Sequence, residues 1–207
     1  MPIDPEENTE EALPPGFDPI AYWLENKTKI IAFAALLIVG LVAFGAYQIT
    51  TQQTMTASQN MFAEASKPDD FRQVIAKFPH SIAAGNSELM LASKLRDEKK
   101  YDDAIAALHE FINQFPEHPL ASTGAFSLAA TLEDQGKADE ALDAYQQVAT
   151  KYPSSYAAPI ALIAQANLLK SKGKTDEAKR ILENVATQYE NSYIAQQAQA
   201  GLKSLHK

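Results

Sequence analysis

The rhythm of polar and apolar positions changes at about residue 48. Before it, from Ile30 to Tyr47, 18 consecutive positions carry no charge, and ten are Ile, Leu, Val or Phe. As a helix rising ~1.5 Å per residue, the run spans roughly 27 Å, close to the ~30 Å hydrocarbon core of a bilayer. Those ten side chains favour insertion by about 3–6 kcal/mol. A globular helix normally keeps a polar face, and this run has none. The pattern predicts a helix crossing the lipid bilayer, with a buried core helix or a cleaved signal peptide as the alternatives. Asp18-Pro19 suits an N-cap and a first helical residue. Tyr22, Trp23 and Tyr47 fall near the two interfaces, where amphipathic rings prefer to lie.

Beyond the run, apolar positions recur with a period of 37 residues. Phe78-Pro79, Phe115-Pro116, Tyr152-Pro153 and Tyr189-Glu190 share one register. So do Ala84, Ala121, Ala158 and Ala195, and also Leu95, Leu132 and Leu169. Asp102-Asp103-Ala104, Asp139-Glu140-Ala141 and Asp176-Glu177-Ala178 form a further set. Each unit reads as two helices. In the middle one, Leu128, Ala129 and Leu132 make an apolar stripe, and Gln135-Gly136-Lys137 breaks the helix. Asp139 and Glu140 then place acids in the next first turn, where the helix dipole favours them. Ala141, Leu142, Tyr145, Val148 and Ala149 follow at helical spacing. Pro153 ends the unit, and the serines after it can cap the next helix. A methyl at Ala141 lets the two helices of a hairpin approach closely, so this residue is expected to be fully buried. Neither helix can bury its stripe alone, so the units must stack.

This pattern resembles the tetratricopeptide repeat. The columns that carry the resemblance are Leu91-Ala92-x-x-Leu95, Tyr101-Asp102-Asp103-Ala104-Ile105 and Phe115-Pro116, with their counterparts in the next two units. The family period is about 34 residues, and here the extra residues fall around each aromatic-Pro turn. Glu88, Ala125 and Leu162 stand where the family has Trp in its first helix. The expected fold is all-α: one N-terminal transmembrane helix, then a TPR-like α-solenoid of about three hairpins with a flanking half-repeat and a capping helix. The expected divisions are a disordered acidic tail over 1–18, the span with its lead-in over 19–48, a connecting helix and partial repeat over 49–82, and the repeats with their cap over 83–207. Gln196, Gln197, Gln199 and Lys203 give the capping helix a polar face.

The layout of tail, single span and repeats resembles the ancillary subunit of the bacterial Sec translocon. The repeat half also resembles the periplasmic cell-division coordinator of the Tol–Pal system. These resemblances imply a bacterial inner-membrane protein. The expected partners are the Sec translocon, periplasmic folding factors or unfolded clients, with Tol–Pal or peptidoglycan machinery as the alternative. Lys27 and Lys29 precede the span, and no cation follows it until Lys67. The positive-inside rule then puts residues 1–29 in the cytoplasm and 48–207 across the membrane.

Composition narrows the functions. There are 18 Lys+Arg against 26 Asp+Glu, a net charge of −8. Nucleic-acid binding needs a basic stripe to displace counterions, so none is expected. There is no Cys, which excludes a disulfide scaffold, a thiolate nucleophile and Cys-ligated metal. The four histidines, His80, His109, His118 and His206, make no H-x-x-x-H or HExxH pair. His80 and His118 follow the inter-unit turns and read as solvated turn residues. No nucleophile elbow or phosphate loop is present. No enzyme activity, cofactor, metal site or small-molecule substrate is expected.

What remains is binding of other proteins. In the resembled family, the first helix of each hairpin lines the ligand trough. The slots that grip a peptide carboxylate there hold Leu89, Ser93, Ser127, Ile160 and Ala164 here, so no carboxylate clamp is expected. The trough would be apolar, formed by Leu89, Phe126, Ile160 and Ile163, with Arg96, Glu133 and Lys170 at its rim. Such a surface suits an amphipathic helix or an unfolded apolar segment. The alternative is that these side chains simply pack against neighbouring helices. The basic run Lys170, Lys172, Lys174, Lys179 and Arg180 reads as a solvated helix end and turn, or as a patch for an acidic partner.

Overall fold

The structure, a computed structural model, describes Gly16 and residues 19–205. Apart from Gly16, the tail over 1–18 lies outside the described residues, as do the Asp18 cap and His206. Nine helices and no strand are found among the described residues. They are α1 (Pro19–Glu64), α2 (Pro68–Lys77), α3 (Ile82–Asp97), α4 (Tyr101–Gln114), α5 (Ala121–Asp134), α6 (Ala138–Lys151), α7 (Ala157–Ser171), α8 (Thr175–Gln188) and α9 (Tyr193–Leu205). They divide into two units, Met1–Gln53 and Thr54–Lys207.

The first unit consists of most of α1. None of the apolar stretch is buried: Leu36 and Leu41 are 71% and 69% exposed. The helix is long and apolar enough to cross a membrane. It continues past Tyr47 because no Pro or Gly interrupts the chain until Pro68.

The second unit begins with the last turns of α1. Phe62 there meets Phe71 of α2, ring centroids 6.2 Å apart. The hairpins α3/α4, α5/α6 and α7/α8 follow, and each helix packs on the next. The period is reproduced to the residue. Helices α4, α6 and α8 start at 101, 138 and 175. Ala104, Ala141 and Ala178 are all fully buried, as are Phe111, Val148 and Val185 at the next contact level. The capping helix α9 lays Ile194, Ala195 and Ala198 inward and leaves its glutamines outside.

Each hairpin turn is a Schellman closure. Lys99, Gly136 and Gly173 adopt left-handed φ of 60°, 85° and 76°. Behind them, the N–H groups of Lys100, Lys137 and Lys174 donate to the carbonyls of Leu95, Leu132 and Leu169 at 2.8–2.9 Å. Only the first turn lacks a glycine, and a Cβ in that conformation costs about 1–2 kcal/mol. Lys99→Gly is therefore expected to stabilise the chain by about 0.5–1 kcal/mol after the added unfolded-state entropy, measured as a higher urea midpoint in mild detergent.

The inter-unit turns are less uniform. Positions 81, 118, 155 and 192 share one column, occupied by Ser, His, Ser and Ser. Ser81 and Ser192 cap α3 and α9, accepting from Ala84 N–H at 3.0 Å and Ala195 N–H at 3.1 Å. Ser155 does not cap α7: Tyr156 stands at the N-cap with no side-chain bond to the helix, and the Ser155 hydroxyl only donates to the Tyr152 carbonyl, at 2.8 Å. His118 is not a solvated turn residue; it is 9% exposed. Its ring stands edge-on to Phe111 and Phe115, centroids 5.3 and 6.1 Å away. Its Nδ1 accepts from Leu120 N–H at 3.1 Å, which leaves the proton on Nε2, 3.4 Å from the Ile82 carbonyl. Gly85 makes the room: a Cβ there would lie 2.9 Å from His118 Cδ2.

Candidate protein-binding face

The first helices α3, α5 and α7 present Leu89, Phe126, Ile160 and Ile163. All four are partly buried and rest on the buried core rather than standing free. Leu89 leans over Gly124, whose missing side chain lets α5 approach. Phe126 lies against Tyr145, ring centroids 5.7 Å apart. Phe126 and Ile160 line a common cleft of about 480 Å³, closed by Pro119, Ser122, Thr123, Ser155, Tyr156 and Ala157. Leu89 and Ile163 do not reach it. No Lys, Arg, Asp, Glu or His lines this cleft, so it offers no counter-charge to an ionic group.

The rim residues are tied to the fold. Arg96 Nε donates to Asp134 at 2.6 Å in the next unit. Glu133 accepts from the Tyr145 hydroxyl at 2.7 Å. Burial, together with that bond, pushes the Tyr145 hydroxyl pKa well above its usual range. Lys170 donates to Ser204 of α9 at 2.9 Å. Much of the basic run is engaged likewise: Lys172 bonds Asp139 at 2.5 Å, Lys174 faces Glu177 at 3.7 Å and Lys179 faces Glu183 at 3.9 Å. The Lys172 ammonium holds the Asp139 carboxyl below its ordinary range, by hydrogen bond first and charge second.

Two features escaped the sequence reading. Ile82, Pro119, Tyr156 and Tyr193 stand in one column at the starts of α3, α5, α7 and α9. Ile82, Tyr156 and Tyr193 are 54%, 73% and 68% exposed, an apolar column whose Pro119 and Tyr156 line the cleft. Their shared spacing was the available signal. The second is Glu88, in the slot where the resembled family has Trp. It is buried, and neither carboxyl oxygen has a hydrogen-bond partner. Burial, and secondarily the charge of Glu110, lift its pKa to about 7. Among the described residues no group of three His, Cys, Asp or Glu is placed to hold a metal ion.

A family model described as a tetratricopeptide repeat-like domain matches residues 21–149, and one described as a tetratricopeptide repeat matches residues 161–192. The first match takes in the apolar run as well as α2 through most of α6. No curated protein matches the chain. With stacked helical hairpins on a 37-residue period and a family match over more than half its length, the chain belongs to the tetratricopeptide repeat-like domain family, whose repeats serve as scaffolds for protein–protein interaction.

Proposed function

We propose that this protein is a membrane-tethered adaptor that binds envelope proteins during or after export. Helix α1 acts as a retained signal anchor with residues 1–29 in the cytoplasm, and the repeats work on the periplasmic side of the inner membrane. Phe126 and Ile160, with Leu89 and Ile163 beside them, receive an apolar segment of a partner or an unfolded client. The observation that carries this reading is the uncharged cleft of about 480 Å³ on the first-helix face. It would accept apolar side chains and discriminate against ionic ones. The anchor is supported by the exposure of the whole apolar stretch of α1 and by a family match that includes it.

Co-purification in mild detergent tests the setting. Recovery of Sec translocon subunits and periplasmic folding factors is the expected result; recovery of Tol–Pal or peptidoglycan machinery instead would assign the scaffold to envelope organisation. Topology has its own test. A reporter active only in the periplasm is expected to work when fused after Lys207, and the full-length chain is expected to remain in the pellet after carbonate washing. Activity of cytoplasm-specific fusions at that end would reverse the orientation. A soluble product starting near residue 46 would make the run a cleaved signal.

A further inference from the structure

A second cleft, of about 430 Å³, opens between α6, α7 and α8, away from the first-helix cleft. Leu142, Leu169 and Ile181 form its apolar walls, and Gln165, Asp143 and Arg180 are among its polar lining. Gln165 interrupts a column. The two preceding units hold Leu91 and Leu128 there, both buried. Gln165 is buried as deeply, 9% exposed, so a polar side chain has replaced an apolar one without leaving the interior. Its Nε2 donates to the Leu142 carbonyl at 3.2 Å, and its Oε1 has no hydrogen-bond partner. A buried acceptor left unpaired calls for an explanation.

The charges beside it indicate what would pair with it. Asp139 is bonded to Lys172, and Glu177 is faced by Lys174 at 3.7 Å. Asp143 has no ion pair among the described residues. The lining carries three carboxylates (Asp139, Asp143, Glu177) against two cations (Lys174, Arg180), and Lys172 balances Asp139, so Asp143 and Arg180 are left as one unpaired charge of each sign among the described residues and the Gln165 oxygen decides between them. An anion drawn to Arg180 would meet the Gln165 oxygen and Asp143, both of which repel it. A cationic donor is repelled by Arg180 alone, and meets an acceptor and an unpaired carboxylate, while its aliphatic stem meets three apolar walls. The preceding unit lacks this combination: Leu128 and Ala106 replace Gln165 and Asp143 in the equivalent columns.

We propose that the cleft between α6, α7 and α8 binds a basic side chain, Lys or Arg, from a partner protein, its stem against Leu142 and Leu169 and its head on Gln165 Oε1 and Asp143. The Gln165 oxygen is itself covered, so the amide must turn about its broad terminal torsion to meet the entering donor, and the Nε2 bond to the Leu142 carbonyl is given up as it does.

The test uses the full chain in phosphatidylcholine nanodiscs, so that no anionic lipid competes. The probe is a fluorescein-labelled Gly/Ser peptide carrying a central Leu-Lys-Leu, compared with the same peptide bearing acetyl-lysine. Acetylation keeps the stem and removes the charge. Anisotropy titration is expected to show binding weakened about tenfold or more by acetylation. Gln165→Leu and Asp143→Asn are each expected to weaken the lysine peptide about fivefold or more, with unchanged helix content and, for Gln165→Leu, an unchanged or higher melting temperature. Phe126→Ser is expected to leave this binding intact, which separates the site from the first-helix cleft. Equal affinity for the two peptides, wild-type affinity in Gln165→Leu, or no binding of the lysine peptide up to about 1 mM would overturn the proposal.

Discussion

Gly124→Ala is expected to lower the melting temperature of the repeat unit by about 2–8 °C, although alanine is the better helix former. Helix propensity alone would make the change favourable by ~1 kcal/mol. The packing opposes it. A Cβ at position 124 would overlap Cε1 of the Phe111 ring and lie 2.5 Å from its Cδ1, with Leu89 Cδ2 at 3.2 Å. Phe111 cannot swing aside. It is fully buried, with Phe115 stacked 5.9 Å away on one side and His118 edge-on at 5.3 Å. Overpacking of this kind costs about 1–3 kcal/mol, occasionally more. With a contact this close the cost lies in the upper half of that range, and the net loss of ~1–2 kcal/mol corresponds to about 2–8 °C at roughly 2–4 °C per kcal/mol. Thermal melts of the full chain in mild detergent provide the measurement. In a Phe111→Leu background the penalty is expected to shrink, because the clash belongs to the ring. A melting temperature for Gly124→Ala at or above wild type would mean that α4 and α5 are not in the contact described.

The chain is expected to lose stability as pH rises from about 5 to 8, and Glu88→Gln is expected to remove much of that loss. Glu88 has a folded pKa near 7 against an ordinary 4.5. Between those values the folded chain holds a proton that the unfolded chain has released. Stability therefore falls as pH rises through that window and levels off above it. The shift is worth on the order of 2–3 kcal/mol at pH 8. Glutamine keeps the shape and carries no charge to desolvate, so at pH 8 the variant should be the more stable of the two, and at pH 5 nearly equal to wild type. Parallel urea titrations at the two pH values read the difference of differences, which cancels the other titrating groups. A parallel pH dependence in the two proteins would show that Glu88 finds a partner or water when ionised.

The repeat was legible because several columns share one register and each has a local physical meaning. The acid pairs mark helix starts, the aromatic-Pro pairs mark helix ends, and the small alanines mark close approaches, with Ala141 fully buried as expected. His118 was not legible. Its burial depends on Gly85, 33 residues earlier in sequence and across a unit boundary. Nothing in the local sequence distinguishes a histidine at a turn from one tucked beneath the preceding hairpin. The partners of the rim charges were hidden for a similar reason. Arg96 finds Asp134 one residue past its own repeat column, and Glu133 turns back to Tyr145 within its hairpin. Period alone places Arg96, Glu133 and Lys170 together; side-chain reach decides that each is held by a different neighbour. The apolar column from Ile82 to Tyr193 could have been read, since its spacing is the same 37 residues. Hydrophobic residues at helix starts are more readily taken for core, and only their exposure marks them as surface.

The central claim is that the first-helix face binds protein. Its most direct test is the affinity of a chemically unfolded, apolar-rich client for the full chain in nanodiscs, compared between wild type and the Phe126→Ser, Ile160→Ser variant. Circular dichroism first establishes that helix content and cooperative melting are retained. If Phe126 and Ile160 form the receiving surface, the variant binds the client about tenfold more weakly or worse, as expected when apolar anchors are lost from an interface. Wild-type affinity in a folded variant would place binding elsewhere on the protein and contradict the account.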